Sequence, residues 1–203
     1  MAIQKTDRDQ VIHSALTLFR VQGYHNTSMA DISGACGLLK GSIYHYFPSK
    51  KALALAALDR VIAEGEEKLF TAAADATVPA WKRLGALAAA IEQYFIGREG
   101  GCLMGNLALE LGGSVPEFAQ RIRRYFGCWE AALSRLLATR YGPERAAELA
   151  QDAIARVQGA IMMMGIHKDA AVLRRAGRDV IALLADAAPN GMPAAHEREE
   201  VRL

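Results

Sequence analysis

Residues 28–47 read Ser28-Met-Ala-Asp-Ile-Ser-Gly-Ala-Cys-Gly-Leu-Leu-Lys-Gly-Ser-Ile-Tyr-His-Tyr-Phe47, and the spacing within this stretch decides the fold. Met29, Ile32, Ser33 and Cys36 recur at helical intervals and face one way, toward whatever helix precedes them. Gly37 supplies a left-handed turn, after which Leu38, Ile43 and Phe47 anchor a second short helix from behind. Lys40, Gly41, Ser42, Tyr44 and His45 are left near its front. The pattern is a helix-turn-helix between about Thr27 and Phe47. Its front suits DNA: Lys40 brings a charge, Gly41 permits close backbone approach, and Ser42 and Tyr44 offer hydroxyls to phosphate oxygens. Lys50 adds a positive charge near the start of the next helix. A generic helical hairpin with a tyrosine-rich surface fits the same residues, so chemistry alone leaves both readings open.

Upstream, Val11, Ile12, Ala15, Leu16, Leu18 and Phe19 form an apolar helical face that stops at Gly23, with Thr6 as candidate N-cap and Asp7 and Asp9 in the first turn. Thr27 or Ser28 caps the second helix. The third is predicted from about Leu39 or Lys40 to Tyr46, where Pro48 blocks its continuation. Downstream, Ser49 opens a long helix through Leu55, Leu58, Ile62 and Leu69. Further helices are predicted around Trp81–Ile96, from Cys102 to Leu111, from a Ser114–Glu117 capping box to about Thr139, from Gly142-Pro143 to about Ile166, and from Asp169 to before Pro189. Gly97 to Gly101 reads as a loop. With short connections and no alternating strand pattern, the fold class is all-α.

At 203 residues, 52% hydrophobic and 23% charged, the chain is long and apolar enough for a substantial core and wrong for a disordered protein. Its first nine residues do not read as a signal peptide, and no apolar run reaches the ~18 residues of a membrane span, so a cytoplasmic location and no membrane partner are expected. Residues 1–51 hold six Lys/Arg against three Asp within a chain of net charge +2, so the positive excess sits in the first quarter. Three scattered cysteines, Cys36, Cys102 and Cys128, make neither a disulfide framework nor a zinc site. No metal and no cofactor are expected.

The segment Lys40-Gly-Ser-Ile-Tyr-His-Tyr-Phe-Pro-Ser-Lys50, preceded by Thr27 and followed by Ala52-Leu53, resembles the signature of the TetR-type (tetracycline-repressor) family over about residues 7–56. The resemblance implies a helical homodimer that is most often a repressor. In it an N-terminal three-helix helix-turn-helix domain, residues 1–48, reads a near-palindromic operator in double-stranded DNA. A C-terminal helical bundle, residues 49–189, binds a small-molecule inducer and dimerises. Residues 190–203 read as a tail. By the same resemblance Thr27, Ser28, Lys40, Gly41, Ser42, Tyr44, His45 and Lys50 are the DNA-facing set. Leu39 departs from the pattern, standing where members commonly place a polar capping residue such as Ser; a missing cap costs about 1 kcal/mol.

Gly101-Cys-Leu-Met-Gly-Asn-Leu-Ala-Leu-Glu110, followed by Pro116-Glu-Phe, is similar to a segment of a TetR-type subgroup, some of which respond to small carbonyl or electrophilic compounds. Cys102, after a glycine-rich loop and at a helix start, is a candidate thiolate; packing under Leu103 and Met104 is the alternative. Phe95, Cys102, Met104, Phe118, Tyr125, Trp129, Met162, Met163 and His167 are candidate ligand-binding residues, with plain core packing as the other reading of each. Asn106 and Glu110, four apart, share a helix face and favour a structural role. Leu149, Ala153, Ile154, Val157 and Ile161, with Val172, Leu173, Val180 and Leu184, form two stripes suited to a dimer interface or to burial within one subunit. A thiol enzyme is disfavoured because no Cys–His pairing can be read, and a helical module without DNA affinity leaves the segment from Lys40 to Lys50 unexplained.

Overall fold

A computed structural model describes residues 7–39, 41–111 and 115–185. Among the described residues there are eight α-helices and two short 3-10 helices, with no strand. The order is α1 (Arg8–Gln22), α2 (Met29–Ala35), a 3-10 turn (Ser42–His45), α3 (Lys50–Lys68), a second 3-10 turn (Phe70–Ala73), α4 (Ala80–Phe95), α5 (Leu103–Leu111), α6 (Pro116–Leu137), α7 (Pro143–His167) and α8 (Ala171–Ala182).

The predicted apolar face of α1 is its buried face: Val11, Ile12, Ala15, Leu16 and Phe19 point inward. Each such large side chain, fully buried, contributes about 1.5–3 kcal/mol. Its N-cap is Asp7, whose carboxylate accepts from the Gln10 N–H at 2.8 Å; the expected cap, Thr6, lies outside the described residues. Helix α2 carries a full capping box, with Ser28 and Asp31 exchanging hydrogen bonds, which pulls the Asp31 carboxyl below its ordinary range. Ser49 caps α3 as the sequence predicts.

Two expected helix starts differ. The predicted third helix is only a single 3-10 turn, Ser42–His45, with no side-chain cap. The polar capper is missing at Leu39, Gly41 is a weak helix former, and Pro48 stops any extension, so little favours a longer helix. Helix α6 starts at Pro116 with Val115 as an uncapped N-cap. Ser114 lies outside the described residues, and Glu117 instead reaches α3, where Lys51 Nζ donates to it at 2.7 Å.

Packing runs continuously from end to end. Helix α3 lies against both α1 and α6, α6 against α7, and α8 against α7 and α4. Gly65 of α3 faces the rings of Phe70 and Tyr125, where a Cβ would sit 3.1 Å from each, and so admits an aromatic group of Phe70, Tyr125, Phe126 and Trp129. Among the described residues no helix is long and apolar enough to cross a membrane.

Candidate nucleic-acid interface

Ile43 and Phe47 are fully or nearly buried behind the 3-10 turn, and Met29, Ile32, Ser33 and Cys36 are buried behind α2. That leaves Gly41, Tyr44 and His45 outward, with Ser42 half-buried; Tyr44 is 49% exposed. Ser28 is exposed, but its hydroxyl is occupied in the Asp31 cap. Lys40 lies outside the described residues.

Two members of the expected DNA-facing set point inward. Thr27 is 0% exposed and its hydroxyl donates to the Gly23 carbonyl at 2.7 Å, closing the turn between α1 and α2. Lys50 Nζ donates to the carbonyls of Tyr24 at 2.8 Å and Thr27 at 2.9 Å, and sits 4.4 Å from the Tyr24 ring centroid. The reason is local: the turn leaves carbonyls without helical partners, and an ammonium on the first turn of α3 satisfies them. Both residues hold the scaffold that presents Tyr44 and His45.

The same turn is gripped from the other side by α5. Glu110 accepts from the backbone N–H groups of Tyr24 at 2.9 Å and His25 at 2.6 Å. Asn106 Nδ2 donates to the carbonyls of Arg20 at 3.2 Å and Gly100 at 2.7 Å. Gly100, at φ +78°, lies so close to the end of α1 that a Cβ would overlap the Arg20 carbonyl. The structural role expected of Asn106 and Glu110 is therefore seen, and it joins the helix-turn-helix to the larger bundle.

The expected ligand-binding residues do not converge on one cavity. Phe95, Met104, Phe118 and Tyr125 are packed in the core, and Met162, Met163 and His167 are exposed. Helical geometry separates them: consecutive methionines on α7 point outward while α6 turns its aromatics in. Cys102 and Met162 border a surface hollow of about 1040 Å³ beside the loop from Gly97 to Gly101. Trp129 borders a separate, smaller cavity between α4 and α8. Neither Glu92 nor the arginines of α8 stood out in the sequence; the signal was the small residues Gly85, Ala88 and Gly177, which leave room between those helices.

Cys102 is buried, and that burial raises its thiol above the ordinary range despite an N–H of Gly105 3.5 Å from the sulfur. Of the two readings of Cys102, the packed cysteine is the one its burial favours over the candidate thiolate. Cys128 is half-buried and is also raised, first by burial and then by its hydrogen bond to Glu66.

Of the two readings of the apolar stripes, burial within one subunit accounts for most of them: Ala153, Val157, Ile161, Leu173, Val180 and Leu184 are buried, and Leu149, Ile154 and Val172 are half-buried. The outward apolar face of α7 is instead Ala155, Met162, Met163 and Ile166. At its end Lys168 takes a left-handed conformation and Asp169 accepts from the Ala171 N–H at 2.8 Å, the charged helix end the sequence suggested.

Residues 11–57 match the family described as bacterial regulatory proteins, tetR family, and residues 82–179 match the C-terminal domain of LmrA/YxaF-like transcriptional regulators. The HTH-type transcriptional repressor DhaR of Mycobacterium sp. (strain GP1) is 29% identical over 170 residues, 80% of this chain and 84% of that protein. A TetR transcriptional regulator of Chloroflexus aurantiacus J-10-FL, known as a crystal structure, is 30% identical with a TM-score of 0.74, covering 87% of this chain and 93% of that one. A TetR transcriptional regulator of Legionella pneumophila, at 22% identity, shares the fold with a TM-score of 0.78 over 89% of this chain and 97% of that one.

Proposed function

Because the chain belongs to the TetR family of bacterial regulatory proteins, a class of DNA-binding transcriptional regulators and not of enzymes, we propose that it represses transcription as a homodimer on a near-palindromic operator and leaves it when a small molecule is bound. The observation that carries this reading is the outward Tyr44 and His45 on a turn whose back is anchored by Ile43 and Phe47. Both rings are exposed, and they stand on a scaffold braced by Lys50 and Glu110.

Two copies related by a two-fold axis would set their turns in successive major grooves, about one helical turn apart or a multiple of it. The outward face of α7, with Met162, Met163 and Ile166, is the surface for the second copy. Release follows from the seam: a ligand that shifts α5 pulls on Tyr24 and His25 through Glu110 and alters the spacing of the two turns. The burial of Cys102 favours noncovalent binding over reaction with an electrophile.

The test is to sequence the genomic fragments the protein retains and measure their affinity against random duplex over a salt series. Retention of a two-fold symmetric site, with affinity falling steeply as salt rises, is the expected result. Equal affinity for retained and random duplex overturns it.

A further inference from the structure

Between α4, α6, α7 and α8 lies a cavity of about 190 Å³. Leu87, Ile91, Trp129, Leu133, Val157 and Leu173 contribute apolar walls. Gly177 of α8 faces Ala88 of α4, and a Cβ there would stand 4.0 Å from the alanine's, so the gap comes from missing side chains and not from splayed helices. An apolar cavity of about 150 Å³ stays dry and accepts benzene. The larger volume here leaves room for one ring or a short branched chain with a small substituent.

The rim has a different chemistry. Glu92, Arg174 and Arg178 all border the opening, and Arg174 Nε donates to Glu92 at 2.8 Å. Arg174 and Arg178 are four apart on α8 and so lie on one face. Among the described residues no carboxylate pairs with Arg178, which leaves the rim with one positive charge in excess. A guanidinium beside an apolar cavity matches a molecule with a greasy body and an anionic end, because the planar fork binds carboxylate through two parallel hydrogen bonds.

We infer that this cavity is a binding site for a compact aromatic or aliphatic monocarboxylate, its body among Leu87, Trp129 and Val157 and its carboxylate on Arg178. The inference rests on the reading of the C-terminal bundle as the ligand-responsive part of a regulator, and it names the class of ligand. An occupant of this shape fills the gap between α4 and α8 and brings its carboxylate beside the Glu92–Arg174 pair at the rim.

The chain has two tryptophans, so Trp81→Phe leaves Trp129 as the reporter of the cavity. Benzoate, phenylacetate and hexanoate, each with its uncharged amide, are titrated into DNA-free protein by calorimetry and by Trp129 emission. At least one acid is expected to bind saturably, perturb Trp129 and exceed its amide by about tenfold. R178Q is expected to erase that preference while the amide still binds, and A153L or G85V, which fill the cavity, to abolish both. No saturable binding by any acid, equal binding of acid and amide, or an unchanged preference in R178Q overturns the inference. Operator affinity of the parent protein, measured without ligand, tests the regulator reading separately: an intact operator complex in a parent that binds none of the acids defeats only the site.

Discussion

Glu110 Oε1 stands 2.6 Å from the backbone nitrogen of His25, across 85 residues of sequence, and its second oxygen holds the neighbouring N–H of Tyr24. One carboxylate on α5 thus closes the turn between the first two helices. Glu110→Ala strands both donors. Hydrogen bonds to a charged group contribute about 1.5–3 kcal/mol when buried, and exposure on the His25 side reduces this. We expect a loss of about 1–3 kcal/mol, seen as a Tm lower by about 3–8 °C. A melt superimposable on that of the parent would show that the contact carries no stability.

Gly100 offers a sharper test of the same seam. At φ +78° a non-glycine residue is strained, and a Cβ would overlap the Arg20 carbonyl. Gly37, at φ +67°, has nothing within 4 Å of its Cβ position. Gly37→Ala should therefore cost only the conformational strain, about 1–2 kcal/mol. Gly100→Ala should add about 1–3 kcal/mol for the overlap and disturb the Asn106 bridge to Arg20 and Gly100. Equal costs in urea titrations would mean the loop does not press on α1.

Much of this was legible in the chain because periodicity and punctuation are local. The face of α1 from Val11 to Phe19, the Ser49 cap and the start of α7 at Pro143 follow from short-range rules. What the chain did not show depended on distance in space. Thr27 joined the DNA-facing set through the family resemblance and Lys50 through its charge as well; that both donate to carbonyls of the turn between α1 and α2 is visible only in space. Ala153, Val157 and Leu173 left interface and internal burial both open because an apolar stripe does not say which neighbour covers it; they are buried within one subunit. Phe95, Met104 and Tyr125 were open to ligand contact or core packing because both use the same side chains, and all three are buried in the core.

Lys50 and Tyr44 are predicted to fail in different ways. Lys50→Met removes the ammonium from Tyr24 and Thr27, so it should lower the Tm and weaken operator binding through a looser turn. Since Nζ faces inward, the slope of log affinity against log salt should stay unchanged, whereas losing a phosphate contact reduces it by about one. Tyr44→Ala should leave the Tm within about 1–2 °C, as surface changes do, and weaken the operator complex by about tenfold or more. A reduced salt slope in Lys50→Met would place its ammonium on phosphate.

The state of Cys102 separates reaction from fit as the way a ligand would act on the proposed regulator. Only the thiolate attacks electrophiles, and burial raises the Cys102 thiol, so near neutral pH the reactive form is scarce. The sign is fixed: reactivity rises as pH climbs toward the raised value, and the rise extends beyond that of an ordinary thiol. Access works the same way, since Cys102 is buried while Cys128 is half-buried. With N-ethylmaleimide near pH 7, mass spectrometry should find adducts at Cys128 before Cys102, with Cys102 gaining only under alkaline conditions. Operator affinity should be unaffected while Cys102 is unmodified, and Cys102→Ser should bind DNA and respond to a noncovalent ligand as the parent does. Rapid modification of Cys102 at neutral pH with parallel release of DNA would reverse this. The hollow beside the loop from Gly97 to Gly101 would then be the route by which an electrophile reaches the sulfur.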